Sequence, residues 1–118
     1  MSYVDGYVIA VPTDKKAEYI EIAELSASLF KDCGALSVVE NWGDDVPPGE
    51  KTSFPMAVQC EASETVVFSW VVWPSKEARE KGMKLMMEDP RMQKMGPESV
   101  PFDGSRLIYA SFETIVSV

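Results

Sequence analysis

Two arginines near the end of the sequence carry the clearest binding chemistry. Arg91 and Arg106 each lie in a segment rich in turn residues, and Asp103 shortly precedes the second of them. A guanidinium group can bind a ligand carboxylate through two parallel hydrogen bonds. It can equally pair with Asp44, Asp45 or Asp103 and so fix the loops. The sequence leaves both interpretations open.

Two adjacent carboxylates form a second candidate. Asp44 and Asp45 follow Trp42 and Gly43, where a predicted strand ends. Asp45 could anchor a ligand at the rim of a site, or both side chains could point into water from a turn. A carboxylate in an apolar, partly closed site has a raised pKa, so Asp45 or Asp103 could act as an acid or base without histidine. No cation neighbours the pair in sequence, which favours the solvated turn.

Tryptophans at strand ends are the predicted walls of a pocket. Trp42 and Trp73 both lie where a loop follows a strand, so they can line a cavity for an organic ligand. Phe68 and Phe112 lie within strands, where aromatic residues form a core or an interface. The predicted ligand-binding residues are Trp42, Asp45, Trp73, Arg91, Asp103 and Arg106.

Methionines cluster between Met83 and Met95. Flexible thioether side chains fill irregular cores and also adapt to varied apolar ligands. Met92 and Met95 fall beyond the second predicted helix, and we expect them at the mouth of a pocket.

The chain contains no histidine, which excludes Ser-His-Asp and Cys-His catalysis and a histidine-ligated metal or haem. Cys33 and Cys60 do not form a CxxC motif. The segment Gly43–Lys51 lacks the spacing of a phosphate-binding loop, and its prolines would interrupt a cradle of amide groups. We therefore expect no cofactor and no metal.

The length and the net charge of the chain limit the kinds of partner that it can bind. The 118 residues fit one domain, residues 1–118, and 46% apolar residues suffice for a core. A net charge of −8 with scattered lysines and arginines argues against nucleic acid and anionic membranes as partners. The first residues lack the basic region of a signal peptide, so a cytoplasmic location is expected.

Four apolar runs rich in β-branched and aromatic residues predict strands. They are Val4–Val11, Ala35–Trp42, Thr65–Trp73 and Arg106–Ile115. Helical spacing predicts a first helix from Thr13, as N-cap, to Gly34, and a second from Ser75 to about Glu88. Asp89 and Pro90 then open a short further turn.

This order predicts an α+β fold, the ferredoxin-like βαββαβ sandwich, with an antiparallel sheet and two helices on one face. Residues 57–60 (AVQC) could add a short edge strand. Val66–Trp73 and Val4–Val11 do not alternate between apolar and polar residues, so both faces of the sheet need a cover. A second copy of the sheet would supply it and give a homodimer, whereas the loop Gly43–Glu64 folding over its own sheet is the alternative.

Five segments that together span almost the entire chain carry a family resemblance. They are SYVDGYVIAVP, GALSVVENWGDDVP, ETVVFSWVVWPSKEAR, DPRM and PFDGSRLIYASFETI. They resemble the DUF1428 family of unknown function, which is similar to the dimeric α/β-barrel superfamily. The resemblance implies two ferredoxin-like sheets packed into one barrel, with an organic ligand between sheet and helices. Alternatives within that superfamily are a non-enzymatic structural or stress-related dimer and a cofactor-free monooxygenase or isomerase-like enzyme.

Overall fold

One antiparallel sheet organises the computed structural model, which describes residues 2–118. Its strands are β1 (Tyr3–Pro12), β2 (Ser37–Trp42), β3 (Glu64–Trp73) and β4 (Ile108–Glu113), in the order β2-β3-β1-β4. The central strands β1 and β3 pair along all ten of their residues. The predicted ferredoxin-like α+β fold is confirmed.

Within residues 2–118, three α-helices and three 3-10 segments connect the strands. The helices are α1 (Lys16–Asp32), α2 (Phe54–Ala57) and α3 (Lys76–Glu88), and the 3-10 segments are Thr13–Lys15, Pro90–Met95 and Gly104–Arg106. Ser75 caps α3, since its hydroxyl accepts a hydrogen bond from the Ala78 amide at 3.1 Å. Gly34 follows α1 with a φ of +111°, as expected of a glycine that ends a helix.

Two local predictions are wrong. Thr13 does not cap α1, because its hydroxyl is hydrogen-bonded to that of Thr65 at 2.7 Å. The segment 57–60 is not a strand: Ser53 caps α2 by accepting from the Met56 amide, and Pro55 lies in its first turn. A cap followed by an early proline favours a helical turn over an extended strand.

The core lies between the sheet and helices α1 and α3. Trp73 is fully buried there and meets Phe30 edge to face at 6.0 Å between ring centroids. Gly82 lets α3 approach this tryptophan, since a Cβ at that position would lie 2.4 Å from Cζ3 of Trp73. Glycine is therefore required at position 82 by close packing rather than by backbone conformation.

The opposite face of the sheet, here called the outer face, is covered only at one end. Val58, next to α2, packs on Ala10 and Val66, and the ring of Phe54 contacts Phe68. The loop between β2 and β3 thus folds over part of its own sheet.

The remaining outer face is apolar and largely uncovered, although Phe54 and the cluster around Val58 reach its nearest row at Phe68 and Val8. Its rows run across the sheet as Ser37–Val72–Val4–Phe112, Val39–Trp70–Gly6–Ala110 and Asn41–Phe68–Val8–Ile108. None of these twelve residues is charged, and Phe112 and Ile108 are 56% and 44% exposed. In the part of the chain that the structure describes, no helix has the length and apolar character needed to cross a bilayer.

Candidate functional site

A cavity of about 350 Å³ lies between the sheet, α1, α3 and the 3-10 segment Pro90–Met95. Apolar side chains form most of its wall. They include Ile9, Ile22, Phe30, Val71, Phe102 and the four methionines Met83, Met86, Met92 and Met95. Neighbouring methionines give this wall an adjustable shape. We call this space the central cavity.

One polar row crosses the floor of the central cavity. The strand registers place Glu40 of β2 beside Ser69 of β3, Ser69 beside Tyr7 of β1, and Tyr7 beside Tyr109 of β4. The first three residues of this row line the cavity. Tyr109 lies outside it, 70% exposed and stacked on Tyr7 at 6.3 Å between ring centroids.

Tyr19 joins the row from helix α1. It is buried, and its hydroxyl donates a hydrogen bond of 2.6 Å to Oε1 of Glu40. Glu40 is itself exposed on the edge strand, but neighbouring protein atoms remove part of the water around its carboxyl group, which raises its pKa. The hydrogen bond from Tyr19 opposes this rise only in part.

The tyrosines at the cavity keep their protons at neutral pH. Burial raises the pKa of Tyr7 to about 12, and the nearby charge of Asp5 adds to this effect. Burial and the neighbouring Glu40 carboxylate also raise the pKa of Tyr19. Both hydroxyl groups therefore remain available as hydrogen-bond donors.

Most polar atoms of this row have no protein partner. Within residues 2–118, no protein group hydrogen-bonds to the hydroxyl groups of Tyr7 and Ser69 or to Oε2 of Glu40. The hydroxyl groups of Tyr7 and Ser69 keep some accessible surface, because no side-chain nitrogen or oxygen of the non-exposed described residues is both buried and unpaired. Glu40 is itself an exposed residue. These atoms can therefore bind water or a ligand.

A second cavity of about 350 Å³ lies on the far side of Tyr19 and Glu40. Trp42 lines it, packed against Tyr19 at 6.4 Å and beneath the Lys16 ammonium group at 5.3 Å from its ring. The two cavities share Tyr19, Ala23 and Glu40. The Tyr19–Glu40 hydrogen bond is thus part of the wall between them.

A second polar group, Asp5, lies one row away and is fully paired. Its carboxylate is 2% exposed and accepts from Nε1 of Trp73 at 3.0 Å and from Ser111 at 2.5 Å. Nε of Arg79 donates to both carboxylate oxygens, at 3.0 and 3.1 Å. We call this arrangement the Asp5 cluster.

The structure brings together Trp42 with Asp45 and Arg106 with Asp103, but it does not gather the six predicted site residues in one place. Trp73 belongs to the Asp5 cluster, and Trp42 lines the second cavity. Asp45 is exposed and lines a depression of about 230 Å³ together with Trp42. None of the six residues lines the central cavity.

The two arginines are engaged in ion pairs. Arg91 bridges Asp89 and Asp32, both at 2.8 Å. Arg106 forms two parallel hydrogen bonds of 2.7 Å with Glu64 and a third, of 3.1 Å, with Asp103. Of the predicted partners Asp44, Asp45 and Asp103, only Asp103 pairs with an arginine in the described chain, and the other partners, Asp89, Asp32 and Glu64, were not predicted. A ligand role for the two arginines stays a prediction.

Sequence reasoning missed Glu40, Tyr19, Tyr7 and Ser69 as a group. A signal was present at Glu40, which lies between Val38 and Trp42 at the inward positions of β2. A carboxylate on the inward face of a strand needs a partner or a ligand. The residues that meet it come from strands β3 and β1 and from helix α1, and only the strand register and the packing of the helix reveal them.

Comparison with known proteins gives relatives whose function is also unknown. The sequence model of a family described as "Protein of unknown function (DUF1428)" matches residues 2–104. The chain is 56% identical over 116 residues to the "Uncharacterized protein YbaA" of Escherichia coli strain K12, covering 98% of both chains. The protein of that name from Shigella flexneri matches equally.

Two solved structures are similar in fold. An uncharacterized NIPSNAP domain protein from Burkholderia xenovorans has a TM-score of 0.57 at 13% identity, covering 96% of this chain and 94% of that one. The protein At3g17210 from Arabidopsis thaliana has a TM-score of 0.53 at 18% identity, with 98% and 99% covered. At these identities the similarity establishes the fold alone.

Proposed function

Since the chain belongs to the DUF1428 family, whose function is unknown, we propose a function from its geometry: binding of a small organic ligand in the central cavity. The observation that carries the proposal is the row of polar atoms without protein partners on the floor of an apolar space. A core that served packing alone would have apolar side chains at these positions or would pair them.

The size and chemistry of the cavity support this role. Small-molecule sites have volumes of about 300–1,000 Å³ and combine apolar walls with a few convergent polar groups. The central cavity, at about 350 Å³, lies at the small end of this range. Its methionine wall can adjust to the ligand, while the hydroxyl groups of Tyr7 and Ser69 orient it.

Methionine methyl groups provide the test. With ¹³C-methyl methionine, indole as a neutral aromatic probe is expected to shift the signals of Met83, Met86, Met92 and Met95, which line the cavity. Met87 is 74% exposed and serves as an internal control whose signal stays in place. A uniform response, or none with indole and a panel of other bicyclic probes, would contradict the proposal.

A pair of variants tests the location. Ser26 lines the cavity from α1, whereas Ser28 is exposed on the same helix. We expect Ser26→Phe to fill the cavity and abolish the methionine shifts, and Ser28→Phe to leave them unchanged. Equal effects of the two variants would place the probe elsewhere.

We also propose that a second copy of the chain covers the outer face, which would make the binding protein a homodimer. The three open rows contain ten apolar residues or glycines and no charge, although the chain carries a net charge of −8. An uncharged apolar partner surface is needed to bury them, and an identical sheet supplies one through a two-fold axis.

Two substitutions on β4 test the dimer. Phe112 faces outward in this strand, whereas Tyr109 lies on the helix side and is also exposed. In sedimentation at micromolar concentration, Phe112→Asp is expected to shift the protein toward a monomer of 13.1 kDa, and Tyr109→Asp to leave a dimer. A monomeric wild type would refute the dimer, and a dimer with an empty cavity would favour a structural role.

A further inference from the structure

We infer that the ligand of the central cavity is not an anion and directs a hydroxyl or amine proton at Glu40, and that the cavity rejects carboxylates. This inference rests on the proposed binding function and names the class of its ligand. Glu40 is then the residue that determines specificity.

The charge of the cavity wall is the first argument. The described residues that line the cavity include one carboxylate, Glu40, and neither lysine nor arginine. All three arginines of the chain are already paired, Arg79 with Asp5, Arg91 with Asp89 and Asp32, and Arg106 with Glu64 and Asp103. An anionic ligand would lose its hydration without gaining a counter-charge, which is costly in an apolar space.

The free lone pairs of Glu40 are the second argument. Oε1 accepts a hydrogen bond from Tyr19, whereas Oε2 has no protein donor within residues 2–118. A carboxylate has room for about four hydrogen bonds, so a ligand hydroxyl or amine group can donate here. Such a charge-assisted hydrogen bond is about twice as strong as a neutral one.

The length of the polar row sets the shape of the ligand. Glu40 and Tyr7 lie on strands β2 and β1, which are separated by β3. Neighbouring strands are about 4.8 Å apart, so the two ends of the row are about 10 Å apart. A fused-ring compound fits this span, with its hydroxyl group at Glu40 and its rings against the methionines. Tyr7 can donate to an acceptor at the far end.

Two probes with the same rings test the charge preference. At pH 7, 2-naphthol is neutral and carries a hydroxyl donor, whereas 2-naphthoate carries a negative charge. We expect 2-naphthol to bind at least about tenfold more tightly, measured by titrating the methyl signals of Met83, Met86, Met92 and Met95. Equal or tighter binding of 2-naphthoate at these methionines would overturn the ligand class while the binding function stands. If neither probe shifted these signals, the binding function would be overturned as well.

A matched pair of variants tests the role of Glu40. Glu40→Gln and Glu21→Gln make the same change in net charge, but Glu21 is exposed on α1 and lies outside the cavity. We expect Glu40→Gln to reduce the preference for 2-naphthol about tenfold, and Glu21→Gln to preserve it. An equal loss in both variants would show that long-range charge sets the preference, and Glu40 would not be the determinant.

Discussion

The Asp5 cluster and the polar row at Glu40 are two polar groups in the same half of one small protein, and they differ in how they are paired. Asp5 and Tyr7 are two residues apart on β1 and face the same helices. The carboxylate of Asp5 accepts hydrogen bonds from Trp73, Arg79 and Ser111. Tyr7 and Ser69 have no protein partner in residues 2–118. A fully paired buried group stabilises the fold, and an unpaired one beside a cavity is available to a ligand.

The pairing of the Asp5 cluster predicts the largest loss of stability. Arg79→Met would leave a carboxylate buried without its counter-charge, so we expect about 3 kcal/mol less free energy of unfolding. Adding Asp5→Asn to this variant should restore part of the loss, because the uncompensated charge disappears. Urea unfolding of the two single variants and the double variant measures the coupling. Additive effects would show that Asp5 and Arg79 do not act as a pair.

The close packing of Gly82 against Trp73 predicts the second-largest loss of stability. Gly82→Ala places a methyl group 2.4 Å from Trp73, so α3 must move, and we expect a loss of about 1–3 kcal/mol. Gly104→Ala is the matched control, since a Cβ there meets nothing within 4 Å. Thermal unfolding of both variants tests this, and equal melting temperatures would refute tight packing at Gly82.

The pH dependence of stability should differ between Asp89, which is paired with an arginine, and Glu40, which in the described chain is not. Hydrogen bonds from Arg91 lower the pKa of Asp89 to about 2, so the unfolded state binds more protons. The stability that Asp89 provides is present above its ordinary pKa of about 4 and is lost as the pH falls toward 2. We expect Arg91→Met to flatten the acid limb of a plot of melting temperature against pH. An unchanged acid limb would contradict this ion pair.

The contribution of Glu40 to stability should change with pH in the opposite direction. Because its folded pKa is raised, the folded state binds more protons, and this contribution is present below the ordinary pKa. It is lost as the pH rises through the raised value, so the wild type loses stability there relative to Glu40→Gln. Glu21→Gln, which removes an exposed carboxylate, should not change this part of the plot. A flat difference between wild type and Glu40→Gln would refute the raised pKa.

The smallest effects are expected in the unpaired row. Tyr7→Phe and Ser69→Ala each remove a hydroxyl group that has no protein partner, so stability should stay within about 0.5 kcal/mol of the wild type. Binding of 2-naphthol to Ser69→Ala should weaken, because Ser69 lies beside Glu40, where the hydroxyl group of the probe binds. A large loss of stability in either variant would show that the row serves the fold.

The elements of the fold were predictable because their signals are local. Ser75 and Asp89 mark the starts of α3 and of the segment Pro90–Met95, and both act as caps in the structure. The candidate site was less predictable, since Glu40, Ser69 and Tyr7 meet through strand register over long sequence distances. The strand-end position of Trp73 did not reveal that its indole donates to Asp5, 68 residues away.

The strand order also has a consequence for folding during synthesis. β1 lies between β3 and β4, and its register pairs Tyr3 with Trp73 and with Glu113. Both edges of β1 therefore stay unpaired during synthesis until β3, and then β4, has been made. Such non-local pairing slows folding and leaves an apolar strand edge open to other chains in the meantime. Nascent chains that contain β1 without β3 should therefore bind chaperones that recognise extended apolar segments.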